Sequence, residues 1–430
     1  MTKTEIIQTA FQTWGAGGYQ TTSLQTLADK LGVSKTALYR YFRSKDDILV
    51  AMRETFLDRF ADSLRPLFES ALSPLEERSD KGKILDALLL VNNGITEFFA
   101  KNPWYFVFSL VKLHGNTDVR LEIEAYLRAR GLDFKKLRLA AEDGLGEKDA
   151  YPALSQLVFT YSLCIIANFL KGLWEEGRLE ENFSSEAPQG VCEIIRKVGE
   201  AVKNGLRFSR ERVDALDWEA LEAAAKWTES GENLGRHKGL IKAVASAVAA
   251  AGPWAASMSM VAKESGLSKS GLYAHFSSKR DMLRQLFLEE FDEVVRYARD
   301  ASRKSVVPEA QLYLAIRAVE DFLTSEPEFL AAISSLKTQN INLDMRMMDG
   351  IKEDMKKNST ECRSRFFQVF SEIKNARGEA LIDETTTGAI LFLLTDTLIR
   401  KPESMDYKAI PDQSLRSLYR FIALGTNGVK

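Results

Sequence analysis

One stretch of nineteen residues occurs twice in this chain of 430 residues and constrains its fold more than any other feature. Residues 31–49 recur as residues 265–283, with a constant offset of 234 residues and ten identities. Solenoid repeats have periods of about 20–50 residues, whereas this offset is close to half of the chain length. The sequence therefore predicts a duplicated domain, with a first repeat in residues 1–207 and a second repeat in residues 237–430.

The charge balance excludes the class of proteins that bind nucleic acid because the whole chain is basic. The formal net charge is −2, so a nucleic-acid site has to be a local basic patch. The three cysteines, Cys164, Cys192 and Cys362, are odd in number and far apart, which fits neither a disulfide framework nor a metal site. We therefore expect a reducing, cytoplasmic location, with no cofactor and no metal.

Membrane insertion is also not expected. Residues 1–10 mix Lys3 and Glu5 with isolated apolar residues, unlike a signal peptide. Residues 243–262 carry no charge, but Gly252-Pro253 interrupts them and much of the segment is alanine and serine. We interpret this segment as part of an ordinary amphipathic helical region.

The spacing of apolar residues indicates helices almost throughout, so we predict an all-α fold. Ile6, Ala10 and Trp14 lie on one face of a first helix, which glycines follow. Two further helices meet at Gly32, and Ser34 is placed to cap the second of them. A helix, a short glycine-containing turn and a helix form a helix-turn-helix, and the second repeat follows the same order.

Longer amphipathic helices are expected after each helix-turn-helix. In the first repeat we predict them at residues 84–100, 107–113, 121–130, 154–174 and 191–206. In the second repeat we predict them at residues 312–323, 329–336, 362–373, 387–399 and 414–424. Between the repeats, a charged segment with one helix-prone run is expected to be a partly helical linker.

The motif around the first turn resembles the tetracycline-repressor (TetR) family of bacterial transcription regulators. The resemblance rests on Gly-Val-Ser followed by Leu-Tyr-Arg-Tyr-Phe-Arg-Ser-Lys in residues 32–45, preceded by Gly18-Tyr19-Gln20-Thr21-Thr22-Ser23. It implies a DNA-binding helix-turn-helix domain followed by a helical ligand-binding and dimerisation domain. The expected domains are a first head (1–60), a first helical domain (61–207), a linker (208–236), a second head (237–295) and a second helical domain (296–430).

The first head carries the residues that we expect to contact DNA. From Lys30 to Lys45 there are five basic residues and no acidic one. The first residues of a recognition helix contact bases, while hydroxyls, ammonium groups and helix N-terminal N–H groups contact phosphates. The expected DNA-binding residues of this head are Thr22, Ser23, Ser34, Lys35, Thr36, Tyr39, Arg40, Tyr41 and Lys45.

The second head keeps part of this set. Its expected DNA-binding residues are Ser257, Ser268, Lys269, Ser270, Tyr273, His275 and Lys279. Ala274 and Ser277 replace two arginines, and Gly271 replaces an alanine at a cost of about 1 kcal/mol in helix propensity. Two interpretations stay open: both heads bind DNA, or the second repeat serves as a dimerisation or sensing module only.

The first helical domain is rich in aromatic residues. The resemblance implies a pocket for a small apolar or aromatic effector, and we expect its lining to include Trp104, Phe108, His114, Tyr126 and Phe159. A core filled by aromatic rings is the alternative. The second domain is more aliphatic and methionine-rich, which suits an adaptable pocket or a loosely filled core.

Together these observations predict a transcription regulator that is not an enzyme. We expect it to be a ligand-responsive repressor. Its expected partner is a double-stranded DNA operator. Because one chain holds two non-identical heads, we expect a monomeric chain that acts as a pseudodimer on an imperfect palindrome. The alternative is a regulator in which the first head alone binds DNA.

Overall fold

The computed structural model describes residues 1–17, 22–76, 80–109, 117–145, 153–175, 189–225, 236–339, 368–374, 378–399 and 409–428. Within these ranges the chain is all-α, as predicted, and its β-structure is a single isolated bridge between Lys374 and Ala380. The described residues divide into two compact units. No helix among them is long and apolar enough to cross a membrane.

The first unit contains the described residues up to 145 and those of 169–199. Its helices are α1 (Lys3–Gly17), α2 (Leu24–Lys30), α3 (Lys35–Leu38), α4 (Lys45–Glu76), α5 (Lys81–Lys101), α6 (Pro103–Phe108), α7 (Thr117–Ala129) and α8 (Phe134–Leu145). Helices α9 (Leu154–Glu175) and α10 (Gln189–Asn204) contribute residues to both units.

The second unit contains residues 153–168, 200–337 and the described residues from 368 onward. Its helices are α11 (Arg210–Asp214), α12 (Trp218–Ala225), α13 (Arg236–Ala255), α14 (Met258–Ser265), α15 (Lys269–Tyr273), α16 (Lys279–Ser302), α17 (Pro308–Ser325), α18 (Pro327–Gln339), α19 (Glu384–Ile399) and α20 (Asp412–Leu424). A 3₁₀ turn at Gly425–Gly428 follows α20.

The two repeats are built in the same way. In each, the fourth helix (α4 or α16) packs along the next one (α5 or α17), and the chain then turns at a proline into a further helix that starts at Pro103 or Pro327. Proline is well suited to the first turn of a helix because its missing N–H would have no partner there. Residues 99–105 and 323–329, which are faintly similar in sequence, thus form the same turn in the two repeats.

Two predicted helices differ from the structure. Of the predicted helix at 107–113, residues 107 and 108 belong to α6, which starts earlier because Pro103 begins a new helix, and residues 110–113 lie outside the described ranges. Of the predicted helix at 362–373, residues 362–367 lie outside the described ranges, and residues 368–372 form turns. Helix α8 was not predicted, although its apolar residues Leu137, Ala141 and Leu145 lie on one buried face.

The linker is docked on the second repeat within the second unit. The ring of Trp218 meets those of Tyr313 and Tyr419 at 5.2 and 5.7 Å between centroids. The carboxylate of Glu222 accepts hydrogen bonds from Tyr313 Oη at 2.6 Å and Arg416 Nη2 at 3.0 Å. The described part of the linker, residues 208–225, is therefore anchored to the second repeat by aromatic and ionic contacts.

The second unit also contains contacts between the two repeats. Tyr161 of α9 and Phe421 of α20 meet edge to face at 5.6 Å. Gly205 lies against the end of α20, and Leu206 N–H donates to the carbonyl of Ile422 at 2.9 Å. A Cβ at Gly205 would lie 2.6 Å from Gly425 N, and one at Gly425 would lie 2.6 Å from Gly205 N. The two glycines therefore lie where the backbones of the two repeats approach each other closely.

Candidate nucleic-acid interface

The turn of the helix-turn-helix has the same geometry in both heads. Gly32 and Gly266 have φ angles of +67° and +68°, a left-handed conformation that favours glycine. After each turn a serine begins the next helix: Ser34 Oγ accepts from Ala37 N–H at 3.2 Å, and Ser268 Oγ accepts from Gly271 N–H at 3.0 Å. The two predicted caps are confirmed, and they fix the start of α3 and α15.

The side chains that follow these caps point to solvent in both heads. In the first head Lys35, Thr36 and Arg40 are exposed, and Tyr39 is 47% exposed. The second head shows the same pattern for Lys269, Ser270, Ala274 and His275, with Tyr273 at 50%. A tyrosine placed for packing would be buried, so the matched exposure of Tyr39 and Tyr273 opposes the interpretation that they are core residues.

The first head carries the stronger positive charge on this face. Lys30, Lys35, Arg40 and Arg43 are all exposed. In the second head Lys263 and Lys269 are exposed beside the exposed acid Glu264. The local basic patch is therefore present in both heads but is denser in the first.

The side chain of Tyr41 is engaged within the first head. Its hydroxyl donates to the carbonyl of Met1 at 2.7 Å, and its neighbour Phe42 lies under the ammonium of Lys3 at 5.6 Å. The corresponding His275 of the second head is exposed. A phosphate contact by Tyr41 stays a prediction, and it requires the hydroxyl to leave the Met1 carbonyl and donate to a phosphate oxygen instead.

The expected DNA contact of Thr22 needs a correction. The capping oxygen is that of Ser23, which accepts from Thr26 N–H at 3.2 Å, and Ser257 takes the same place in the second head, accepting from Met260 N–H at 3.3 Å. The side chain of Thr22 is buried at 6% exposure, and its hydroxyl has no hydrogen-bond partner. Thr22 therefore does not present its hydroxyl to DNA in this conformation.

Lys45 has a structural role that its sequence position did not reveal. Its ammonium donates to the Thr22 carbonyl at 2.7 Å and lies 5.1 Å from the centre of the Trp14 ring. A lysine ammonium has three N–H donors, so a phosphate contact by Lys45 stays a prediction. In the second head Val248 stands at the position of Trp14, and partial burial lowers the pKa of Lys279, the counterpart of Lys45.

The start of α16 is held by a second capping arrangement. Ser278 Oγ accepts from Asp281 N–H at 3.1 Å, and Asp281 accepts in return from Ser277 N–H at 2.9 Å. Burial alone would raise the pKa of Asp281, but hydrogen bonds from Ser277, Arg284 and Gln285 outweigh it and lower that pKa to about 2. Ser44 and Asp47 form the same arrangement in the first head, where Asp47 accepts from Arg43 N–H.

Three of the five predicted effector-binding residues make separate packing or hydrogen-bond contacts within the first unit. Phe108 is 1% exposed and packs against Phe11 at 5.1 Å. The Tyr126 hydroxyl donates to Asp58 at 2.8 Å, and the Trp104 ring covers Gly15. Phe159 belongs to the second unit, and His114 lies outside the described residues. An effector role for these residues stays a prediction.

The second unit has two cavities lined by described residues. One, of about 590 Å³, is lined by the linker helices and the segment around Val306. The other, of about 430 Å³, lies near Phe208 and Asn427. Neither contains a predicted effector-binding residue.

Asn92 of α5 is a polar residue that the sequence analysis missed. It is 1% exposed, and both polar atoms of its amide lack a hydrogen-bond partner. A buried polar group without a partner costs about 1–3 kcal/mol. Its signal in the sequence was its place on the apolar face of α5, four residues after Leu88 and three before Ile95.

The geometry defines a class: an all-α protein with two helix-turn-helix heads in one chain. A family model described as "Bacterial regulatory proteins, tetR family" matches residues 6–52 and again residues 240–286. These two matches lie on the two heads and have the same offset as the sequence repeat. The chain therefore carries two TetR-type helix-turn-helix heads in tandem.

A search of known proteins adds a relative with a described role. The HTH-type transcriptional repressor KstR2 of Mycolicibacterium smegmatis is 29% identical over 73 residues, which is 17% of this chain and 36% of the relative. The match thus spans about a third of the length of the relative.

Proposed function

We propose that this chain regulates transcription by binding double-stranded DNA through both heads. The observation that carries the proposal is the matched face of α3 and α15. In each head a capped helix presents an exposed lysine at its first position and a half-exposed tyrosine four residues later. These are the positions from which a recognition helix contacts base edges and phosphates.

The two heads bind DNA with different strength and sequence preference in this proposal. Arginine forms bidentate contacts to guanine and also contacts phosphates, and Arg40 is exposed where the second head has Ala274. Likewise, Arg43 is exposed in the first head at the position where the second head has Ser277. The half-site bound by the first head is therefore expected to be the more tightly bound and the more strictly defined one.

The proposal includes a single-chain pseudodimer. Its support is the reciprocal approach of Gly205 and Gly425 and the contact of Tyr161 with Phe421, which join the repeats where a dimeric regulator would join two chains. The docked linker adds Trp218 and Glu222 to the second repeat. Half-site centres are expected one helical turn or a small multiple apart, about 34–36 Å per turn.

Repression in response to a small effector completes the proposal. The relative KstR2 of Mycolicibacterium smegmatis is named as a repressor, and the family resemblance implies an effector in the helical domain. Asn92 is our candidate for its polar contact, because a ligand group that both donates and accepts would satisfy its amide. An effector without net charge is expected, since the buried polar residues of the first unit are Thr13, Thr22, Asn92 and Thr96 in the described ranges.

Selection of bound duplexes from a random pool tests the proposal with the full chain. The expected result is a site with two related but unequal half-sites, the stronger one requiring Arg40. The variant Arg40→Ala should relax the sequence of one half-site, and Ala274→Arg should strengthen the other. Enrichment of a single half-site would favour the alternative in which the first head alone binds DNA. No enrichment at low salt would refute DNA binding.

A further inference from the structure

A buried carboxylate joins α17 to the start of α20. Glu320 is fully buried, and its Oε1 accepts the backbone N–H of Ile410 at 2.7 Å. Its other oxygen, Oε2, is also buried and has no hydrogen-bond partner. The residue is thus placed to hold the segment that precedes α20 against α17.

The charges around this carboxylate do not balance. Arg317 Nε lies 3.6 Å from Glu320 Oε2 and 3.2 Å from Asp321 Oδ1, while Nη1 lies 3.0 Å from Asp412 Oδ1. One guanidinium therefore serves three carboxylates. Glu222 of the linker adds negative charge on the side of Asp321, and its own partner Arg416 of α20 offsets part of that charge. Carboxylates that share a buried site cannot all ionise at their usual pH.

We propose that Glu320 and Asp321 hold one proton between them, and that release of this proton loosens the start of α20 from α17. Arg317 forms its shorter ion pairs with Asp321 and Asp412. The negative charge of an ionised Glu320 is therefore the least compensated of the three. An ionised Glu320 gains water when residues 409–412 move away from α17. The pair acts as a proton-sensitive latch.

The titration of the pair agrees with this geometry. Burial, opposed by the Arg317 guanidinium and the Ile410 N–H, raises the pKa of Glu320 to about 7. Burial also raises the pKa of Asp321, against the attraction of Arg317. An acid whose pKa is raised by folding stabilises the closed state fully below its unfolded pKa, near 4.3. That stabilisation is lost as the pH rises to about 7 and changes little above it.

Helix α20 also contacts the first repeat, so the latch affects more than the packing of α20 against α17. Further along α20, Phe421 meets Tyr161 of the first repeat, and the Ile422 carbonyl accepts from Leu206 N–H. Loosening of α20 therefore weakens a contact that joins the repeats. The inference does not depend on DNA binding, because its readout is the motion of α20 in the chain without DNA.

Hydrogen exchange measured by mass spectrometry on peptides covering residues 409–424 tests the latch. The full chain is labelled between pH 5 and 8, with labelling times scaled to the intrinsic exchange rate. With pKa values near 4.3 and 7 in the open and closed states, we expect protection to fall roughly 50- to 100-fold from pH 5 to pH 8. Equal protection at both pH values would overturn the proposal.

Two variants and a control separate the latch from general instability. Glu320→Gln should remove the pH dependence and keep high protection at pH 8. Asp412→Asn leaves Glu320 in place and should move the transition to lower pH, because one of the competing carboxylates is gone. The control Glu309→Gln alters another buried carboxyl of α17, 3.8 Å from Arg212, and should leave the transition where it is. A transition that persists in Glu320→Gln, or that Glu309→Gln removes, would contradict the assignment.

Discussion

The contact between Gly205 and Gly425 gives a sharp test of how the repeats are joined. We expect Gly205→Ala to destabilise the second unit, because φ at this position is +52° and the new Cβ would lie 2.4 Å from the Ile422 carbonyl oxygen. The left-handed conformation alone costs an alanine about 1–2 kcal/mol. All three atoms that the Cβ meets belong to the backbone, so the strain cannot be relieved by a rotamer change.

The expected total is therefore about 2–4 kcal/mol. Gly425→Ala should have a similar effect, since φ is +62° and its Cβ would lie 2.5 Å from the Lys203 carbonyl carbon. Because both substitutions disrupt one contact, the double variant should cost less than the sum of the two single ones. Additive costs would show that the two glycines act independently.

The assay is denaturant unfolding followed by circular dichroism, with the midpoint compared between variants. Gly199→Ala is the matched control, because Gly199 lies in α10 with nothing within 4 Å of an added Cβ. Alanine is favoured over glycine in a helix by about 1 kcal/mol, so this variant should be slightly stabilised. If Gly205→Ala unfolds at the same midpoint as the parent chain, the close approach of the two repeats is not present in solution.

Three further predictions concern the heads. Gly271→Ala should stabilise the second head by up to about 1 kcal/mol, measured by thermal unfolding, unless the 3.2 Å approach of its Cβ to Ser268 Oγ displaces the cap. Lys35→Ala and Lys269→Ala should each reduce the magnitude of the slope of log binding constant against log salt concentration by about 0.9. The control Lys135→Ala, which removes an exposed lysine of α8, should leave the slope unchanged. An unchanged slope for Lys269→Ala would mean that the second head makes no phosphate contact there. The pKa of Asp281 is lowered to about 2, so the stabilisation of the fold by this carboxylate is complete above pH 4 and is lost as the pH falls toward 2. Acid unfolding of Asp281→Asn should lack this loss of stability. An acid unfolding profile identical to that of the parent chain would refute the capping role.

The parts of the fold that local sequence determines were predictable. Gly32 and Gly266 mark left-handed turns, and a serine two residues later caps the next helix, because both effects act within one turn of chain. The helix spacing of the apolar residues predicted the all-α class for the same reason.

The parts that depend on distant residues were not predictable. The partners of Lys45 are Thr22 and Trp14, which the fold alone brings to it. Residues 208–225 looked like a charged connector, yet Trp218 packs on two tyrosines that follow it by about a hundred and two hundred residues. The imbalance around Glu320 likewise depends on Asp412, which enters from another helix.

The stoichiometry of the complex with the selected operator tests the central claim most directly. Sedimentation of the chain with a duplex that contains both half-sites should show one chain per duplex, with affinity reduced when either half-site is scrambled. Two chains on one duplex, or affinity that is unaffected when the half-site of the second head is scrambled, would contradict a single-chain pseudodimer that binds DNA with both heads.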